Sequence, residues 1–156
     1  MSKKEYTEDD IKLTKLEDLL SRKPEMFFGS RGPNPEHITT AIAQGALILG
    51  ANKIQIENKE GWYLICADVD WLKTPSIKEV NEISVFENIW AFPEAGQNWH
   101  RSEVMTRVYS EGAFSISGEE VYEIKPTIPP INTIKEMVSS FKEWSRIIGF
   151  KFKNYL

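Results

Sequence analysis

The side chains able to do chemistry in this sequence are few: one cysteine, Cys66, two histidines, His37 and His100, and two neighbouring acids, Asp68 and Asp70. Cys66 closes the apolar run Trp62-Tyr63-Leu64-Ile65-Cys66, where a small buried hydrophobe is the ordinary role and a nucleophile the exception. With a single thiol, no disulfide can close within the chain. Neither histidine stands in a recognisable nucleophile motif with serine or cysteine, so surface or capping roles outrank catalysis. Asp68 and Asp70 occupy i and i+2 of a β run and share a face, which could serve a cation. Two acids without further ligands more often mark a solvated strand end. A denser group follows, in which Glu87, Trp90, Glu94, Trp99, Arg101 and Glu103 are interleaved with Phe92 and His100. Loops rich in Trp, His and Arg are common at protein interfaces, and a loop that caps the core is the competing reading.

Secondary structure must position these groups. Leu13, Leu16, Leu19 and Leu20 predict a short amphipathic helix that Pro24 stops, and Met26 to Asn34 reads as a loop. Asn34-Pro35-Glu36 is a strong helix start: a capping amide, a proline that needs no donor, and an acid at the positive end. Ile38, Ile42, Ala46 and Leu49 then share a face and Gly50 supplies a stop, which predicts a helix over 35–49. Lys53 to Glu57 alternates, Asn58 to Gly61 has turn chemistry, and Trp62 to Val69 is a denser β run, together a hairpin whose second strand is the more central. Periodicity fades from Lys73 to Arg101, broken by Pro75, Pro93 and Gly96.

Val104 to Tyr109, a Ser110-Glu111-Gly112 turn, Ala113 to Ser117 and Val121 to Ile124 predict an antiparallel meander. After Pro126, Pro129 and Pro130, the apolar residues Ile134, Met137, Val138, Phe141, Trp144 and Ile148 predict a helix from near Asn132 to Gly149, and Phe150, Phe152 and Tyr155 a terminal strand. The pattern is α+β, a mostly antiparallel sheet with helices packed on one face. No repeat, low-complexity run or linker divides it, so residues 1–156 read as one domain, with 1–12 a candidate flexible N-terminus.

Composition narrows the function classes. At 156 residues and 41% hydrophobic, with five Trp and eight Phe, the chain has material for one core. A formal net charge of -4 argues against a nucleic-acid footprint, and the Lys151, Lys153 pair is too small to make one. The acidity suits a basic partner, but it is first of all the ordinary condition of soluble proteins. There is no apolar signal region and no run of ~18 apolar residues to span a membrane, so the cytoplasm is the expected compartment.

The run Leu16-Glu17-Asp18-Leu19-Leu20-Ser21-Arg22-Lys23-Pro24-Glu25-Met26-Phe27-Phe28-Gly29-Ser30 resembles the opening of the gyrase B-type (GHKL) ATPase domain, with Arg22, Lys23, Pro24, Met26, Phe27 and Gly29 in register and Glu25 replacing the usual glycine. Phe141 to Trp144 and Gly149 to Phe152 resemble the helix and strand that end that domain, so the likeness spans roughly half of the chain. It implies a reduced Bergerat-like fold without the triphosphate lid. The family's register places Ala41 where a glutamate activates water and Gly45 where an asparagine helps hold magnesium, while Gln44 stands one residue out of place. Asp68 falls where the family recognises adenine, but Val69-Asp70-Trp71-Leu72 follows without the glycines that admit a ligand. Glu94-Ala95-Gly96-Gln97-Asn98 carries one glycine where a lid would need several.

The resemblance therefore implies a domain that is not an enzyme, with no cofactor and no metal, and with Asp68 the contact if nucleotide binds at all. A scaffold without its engine retains its surface. By analogy of size, acidity and lost catalysis, the expected role is an immunity protein that neutralises a bacterial toxin of the contact-dependent growth inhibition type by stoichiometric binding. The expected partner is a basic toxin domain such as a nuclease, contacted through Glu87, Trp90, Glu94, Trp99, Arg101 and Glu103. The alternatives are a gyrase B-like decoy and a degenerate nucleotide-binding domain.

Overall fold

Asn34 and Pro35 open helix α1 (Pro35–Ile48) as their chemistry requires. The Asn34 side chain accepts from the His37 backbone N–H at 3.1 Å, and proline fills a position where no donor is needed. At the other end Gly50, at φ +112°, turns the chain out of the helix. Ala51 N then donates to Ala46 O and Gly50 N to Leu47 O, which satisfies carbonyls that the helix end leaves free. The computed structural model describes residues 32, 34–73 and 83–153. The helix expected over Leu13 to Leu20, the Arg22 to Gly29 motif and Tyr155 lie outside them.

Two hairpins and one late strand build the sheet. β1 (Ile54–Lys59) and β2 (Trp62–Ala67) are joined by Glu60 and Gly61, both at positive φ, the two-residue connection whose twist suits a hairpin. β3 (Ser110–Ser117) and β4 (Glu120–Lys125) form the second hairpin. β5 (Arg146–Phe152) then enters between them, giving the antiparallel order β1-β2-β5-β3-β4. The denser strand β2 is interior, as its composition predicts.

β2 carries apolar side chains on both faces, so it needs cover on both. On one face Ile65, Ala67, Ala113, Ile148 and Phe150 pack with Ile38 and Ile42 of α1, with Trp71, and with Val104 and Val108 of α2 (Val104–Val108). On the other, Trp62, Leu64, Cys66, Phe114 and Ile147 pack beneath Ile134 and Met137 of α3 (Ile131–Met137). The expectation of helices on one face is therefore corrected. The near-continuous burial of β2 is the sequence trace of a strand covered twice. Among the described residues, no helix is long and apolar enough to cross a membrane.

Three local expectations also change. Val104 to Val108 is helical, a single turn in which Val104, Met105, Thr106 and Val108 are all buried, and five apolar-rich residues do not distinguish the two periods. Ser110 to Gly112 begins β3 instead of forming a turn, with an irregular register there; a side chain at Gly112 would run into the Thr127 carbonyl oxygen. The long C-terminal helix breaks after Met137, where Ser140 at φ +57° turns the chain, and Arg146 to Gly149 belongs to β5. Ile147 and Ile148 serve opposite sheet faces, so the run that fits a helical stripe fits a doubly covered strand better.

Gly149 is consequently a packing residue and not a helix stop. A methyl group there would lie 2.6 Å from Phe114 Cε1 and closer still to its Cζ. Gly149→Ala should lower stability by about 3 kcal/mol through overpacking. Urea unfolding of Gly149→Ala, Phe114→Leu and the double variant checks this: the double should lose at least about 1 kcal/mol less than the sum of the singles.

Candidate functional site

The chain from Trp90 to Arg101 folds into a small hairpin beside α1. Phe92 N donates to Trp99 O and Arg101 N to Trp90 O, both at 2.8 Å, and Ala91 bridges His100. Its tip is held by Ala95 N to Phe92 O and Gly96 N to Pro93 O. The Phe92 ring reaches helix α1 at Gly45, where an added methyl group would stand 3.1 Å from Cε2. Gly45, where the resemblance would place a magnesium-holding asparagine, thus lets the hairpin approach the helix closely.

Beneath this hairpin lies a buried ion pair. Arg101 and Glu103 are 4% and 2% exposed, with Arg101 Nη2 donating to Glu103 Oε1 at 2.9 Å and Nε to Oε2 at 3.2 Å. Trp71 Nε1 donates to the same Oε1 at 3.1 Å, and the guanidinium carbon stands 5.0 Å from the Phe92 ring centre. Arg101 and Glu103 are therefore not the exposed partner contacts expected of them. Their charges cancel inside the protein, and the donor that completes the carboxylate comes from Trp71, far along the chain.

Of the other expected contacts, Trp90 is half-buried with Nε1 donating to Ser84 O at 3.1 Å, which makes it a core-capping residue. Glu87 is half-buried and lines a separate depression of about 300 Å³ with Arg107. Glu94 and Trp99 are exposed on the hairpin, and the Trp99 side of it borders a groove of about 830 Å³. The opposite wall is the outer face of α1, formed by His37, Thr40, Ala41 and Gln44. Both histidines thus reach one groove, His37 from the helix and His100 from the hairpin. Thr40 and Asn98 are lining residues that sequence reasoning missed. The 37/40/41/44 spacing on the face opposite Ile38 and Ile42 was the available signal.

The remaining candidates lie elsewhere. Asp68 stands past the C-terminal end of α1, where its carboxylate accepts from Asn52 N at 2.9 Å. Backbone hydrogen bonding, chiefly from Lys53, holds that carboxyl below its ordinary range. A depressed carboxylate contributes stability above its unfolded pKa and loses it as pH falls through the folded one. Asp70 is committed to Arg146 through Nε to Oδ1 at 2.8 Å and Nη2 to Oδ2 at 2.9 Å. The two acids are thus not brought together as a cation pair, and no cluster of three or more His, Cys, Asp or Glu suited to a metal occurs among the described residues. Cys66 is buried, and loss of solvation with the nearby Glu57 charge pushes its thiol up to about 12. No protein-family model, curated protein or solved structure matches this chain.

Two outcomes follow from these environments. Glu103→Ala strands the Arg101 guanidinium and should cost about 3 kcal/mol in urea unfolding, whereas Arg101→Met with Glu103→Leu should recover part of it, the buried Trp71 N–H being left without its acceptor. Iodoacetamide at pH 8 should leave Cys66 unmodified in the folded protein and alkylate it in denaturant, as intact mass measurement will show.

Proposed function

We propose that this chain is a non-catalytic binding protein that holds a protein partner along the groove between α1 and the Trp90–Arg101 hairpin. The observation that carries this reading is Trp99, 56% exposed on a hydrogen-bonded hairpin at the rim of that groove. A large aromatic on a pre-ordered support binds with little loss of side-chain freedom, which is why such residues dominate interface energetics. The buried Arg101–Glu103 pair and the Phe92–Gly45 contact fix the base of the hairpin, so the anchor is positioned before any partner arrives.

The particular role we favour is an immunity protein that covers a basic bacterial toxin, such as a nuclease of a contact-dependent inhibition system. Small size and a net charge of -4 support it, since acidity speeds encounter with a basic partner. The likeness to a gyrase B-type ATPase domain is retained as part of this proposal, with Ala41 in the position of the base and facing the groove without a carboxylate. A nucleotide-binding reading is less well supported, because Asp68 lies outside the groove that Ala41 lines. The decoy reading rests on the Arg22 to Gly29 motif and predicts competition with gyrase B.

Affinity capture on the purified protein from its host lysate, repeated with Trp99→Ala, tests the proposal. One protein should be recovered at near-equal stoichiometry by the unaltered chain, and Trp99→Ala should weaken it by about 30-fold, equivalent to ~2 kcal/mol. Equal recovery by the variant would move the interface away from the groove, and a nucleotide-dependent rise in melting temperature with no protein captured would replace the reading by a ligand-binding one.

A further inference from the structure

The charge inside the groove identifies the chemistry of its occupant. Arg101 lines the groove, but its charge is cancelled by Glu103 within a pair that is itself buried. No lysine and no other arginine lines it among the described residues. Glu36 does, and its Oε1 accepts from Tyr63 OH at 3.2 Å, which fixes the carboxylate while Oε2 has no partner among the described residues. Glu94 adds a second exposed acid on the hairpin that carries Trp99. The groove therefore pairs an uncompensated carboxylate on one wall with an indole on the other. Gly96 supports that indole: a methyl group there would come within 3.0 Å of Trp99 Cδ1, so the glycine leaves room for the ring to lie against the hairpin.

We propose that the groove takes an extended, lysine- or arginine-bearing segment of a protein partner, with one cationic side chain seated between the Trp99 indole and the Glu36 carboxylate. Both walls act in the same sense, since an aromatic face attracts a cation through its quadrupole and the carboxylate supplies a charged acceptor. An acidic segment or a phosphate would meet Glu36, with only the imidazoles of His37 and His100, beside the already paired Arg101, to offset it among the described residues. This inference rests on the reading of the groove as the partner-binding surface and adds the chemistry of what enters it.

The probe is a ten-residue lysine-alanine peptide, with a glutamate-alanine peptide of the same length as control. Binding is read from the indole N–H signals of the five tryptophans in a nitrogen–proton NMR spectrum, with Trp99 assigned as the signal missing in Trp99→Phe. The lysine peptide should shift the Trp99 signal, and Glu36→Gln should weaken binding at least tenfold. Glu119→Gln, which removes an equal charge from the exposed β3–β4 turn, should change it less than twofold. Unchanged binding in Glu36→Gln, equal losses in the two charge variants, or a Trp99 shift with the glutamate peptide would each overturn the inference. The captured partner separates the two levels. Loss with Trp99→Ala but not with Glu36→Gln would keep the proposed interface and refute the cation; a selective peptide response with no protein captured would keep the cation and refute the immunity role.

Discussion

A guanidinium removed from water at the first residue of the central strand is the constraint on which much of this structure depends. Arg146 is fully buried, and an isolated charge there would be prohibitive. Asp70 neutralises it with two parallel hydrogen bonds, and Ser115 on β3 accepts from Nη1 at 2.9 Å. Asp70 follows β2, Arg146 opens β5 and Ser115 lies in β3, so one ion ties together three adjacent strands. Such a pair adds little net stability over an apolar replacement, but removal of either partner leaves the other stranded. Its contribution here is to fix where the late strand enters the sheet: a shift of one residue would turn Arg146 to the opposite face, away from Asp70.

The same tether sets the groove. Trp71 comes directly after Asp70 and is wholly buried, with its indole N–H on Glu103. Glu103 in turn holds Arg101, Arg101 lies over Phe92, and Phe92 meets Gly45 on α1. A continuous series of contacts therefore runs from the centre of the sheet to both walls of the groove. Each step is a hydrogen bond or a close packing contact whose partners are buried, which is what holds a surface cleft in one shape. The hairpin is short and irregular, and without this base its few backbone bonds would be poor support for an exposed aromatic.

Sequence reasoning reads those features that are decided locally. The Asn34-Pro35-Glu36 start, the Ile38/Ile42/Ala46 face and Gly50 define α1 because cap, stripe and stop lie within one segment. The β1–β2 hairpin is legible for the same reason, and the density of apolar residues in β2 anticipates its interior place. What fails depends on partners distant in the chain. Ile147-Ile148-Gly149-Phe150 continues the helical stripe of Ile134 and Met137 on paper, and only the gap between the two hairpins makes it a strand. Arg101 and Glu103 look like surface charges until Trp71 and the core draw them in. The exposed pair Glu94 and Trp99 is legible because polar turn residues surround it, whereas the groove requires knowing that the hairpin lies beside α1.

The five tryptophans show why Trp99 differs from an ordinary exposed residue. Trp62 and Trp71 are buried, and Trp90 and Trp144 are half-buried with their indole N–H groups on the Ser84 and Ser139 carbonyl oxygens. Those four are explained by the core and its margins. A single exposed aromatic would need no explanation of its own, since folded surfaces carry many apolar atoms. Trp99 sits instead on a hairpin with the φ of +67° at Asn98 and +138° at Gly96, beside a groove whose far wall is a polar helix face. A left-handed asparagine and a glycine with room only for hydrogen beneath the ring are local conditions that hold the indole where it is. The core does not require that arrangement, because Phe92 already closes the contact with α1 from the same hairpin. What it provides is an aromatic face held open to the solvent of the groove, and a molecule that binds there meets it without first having to order it.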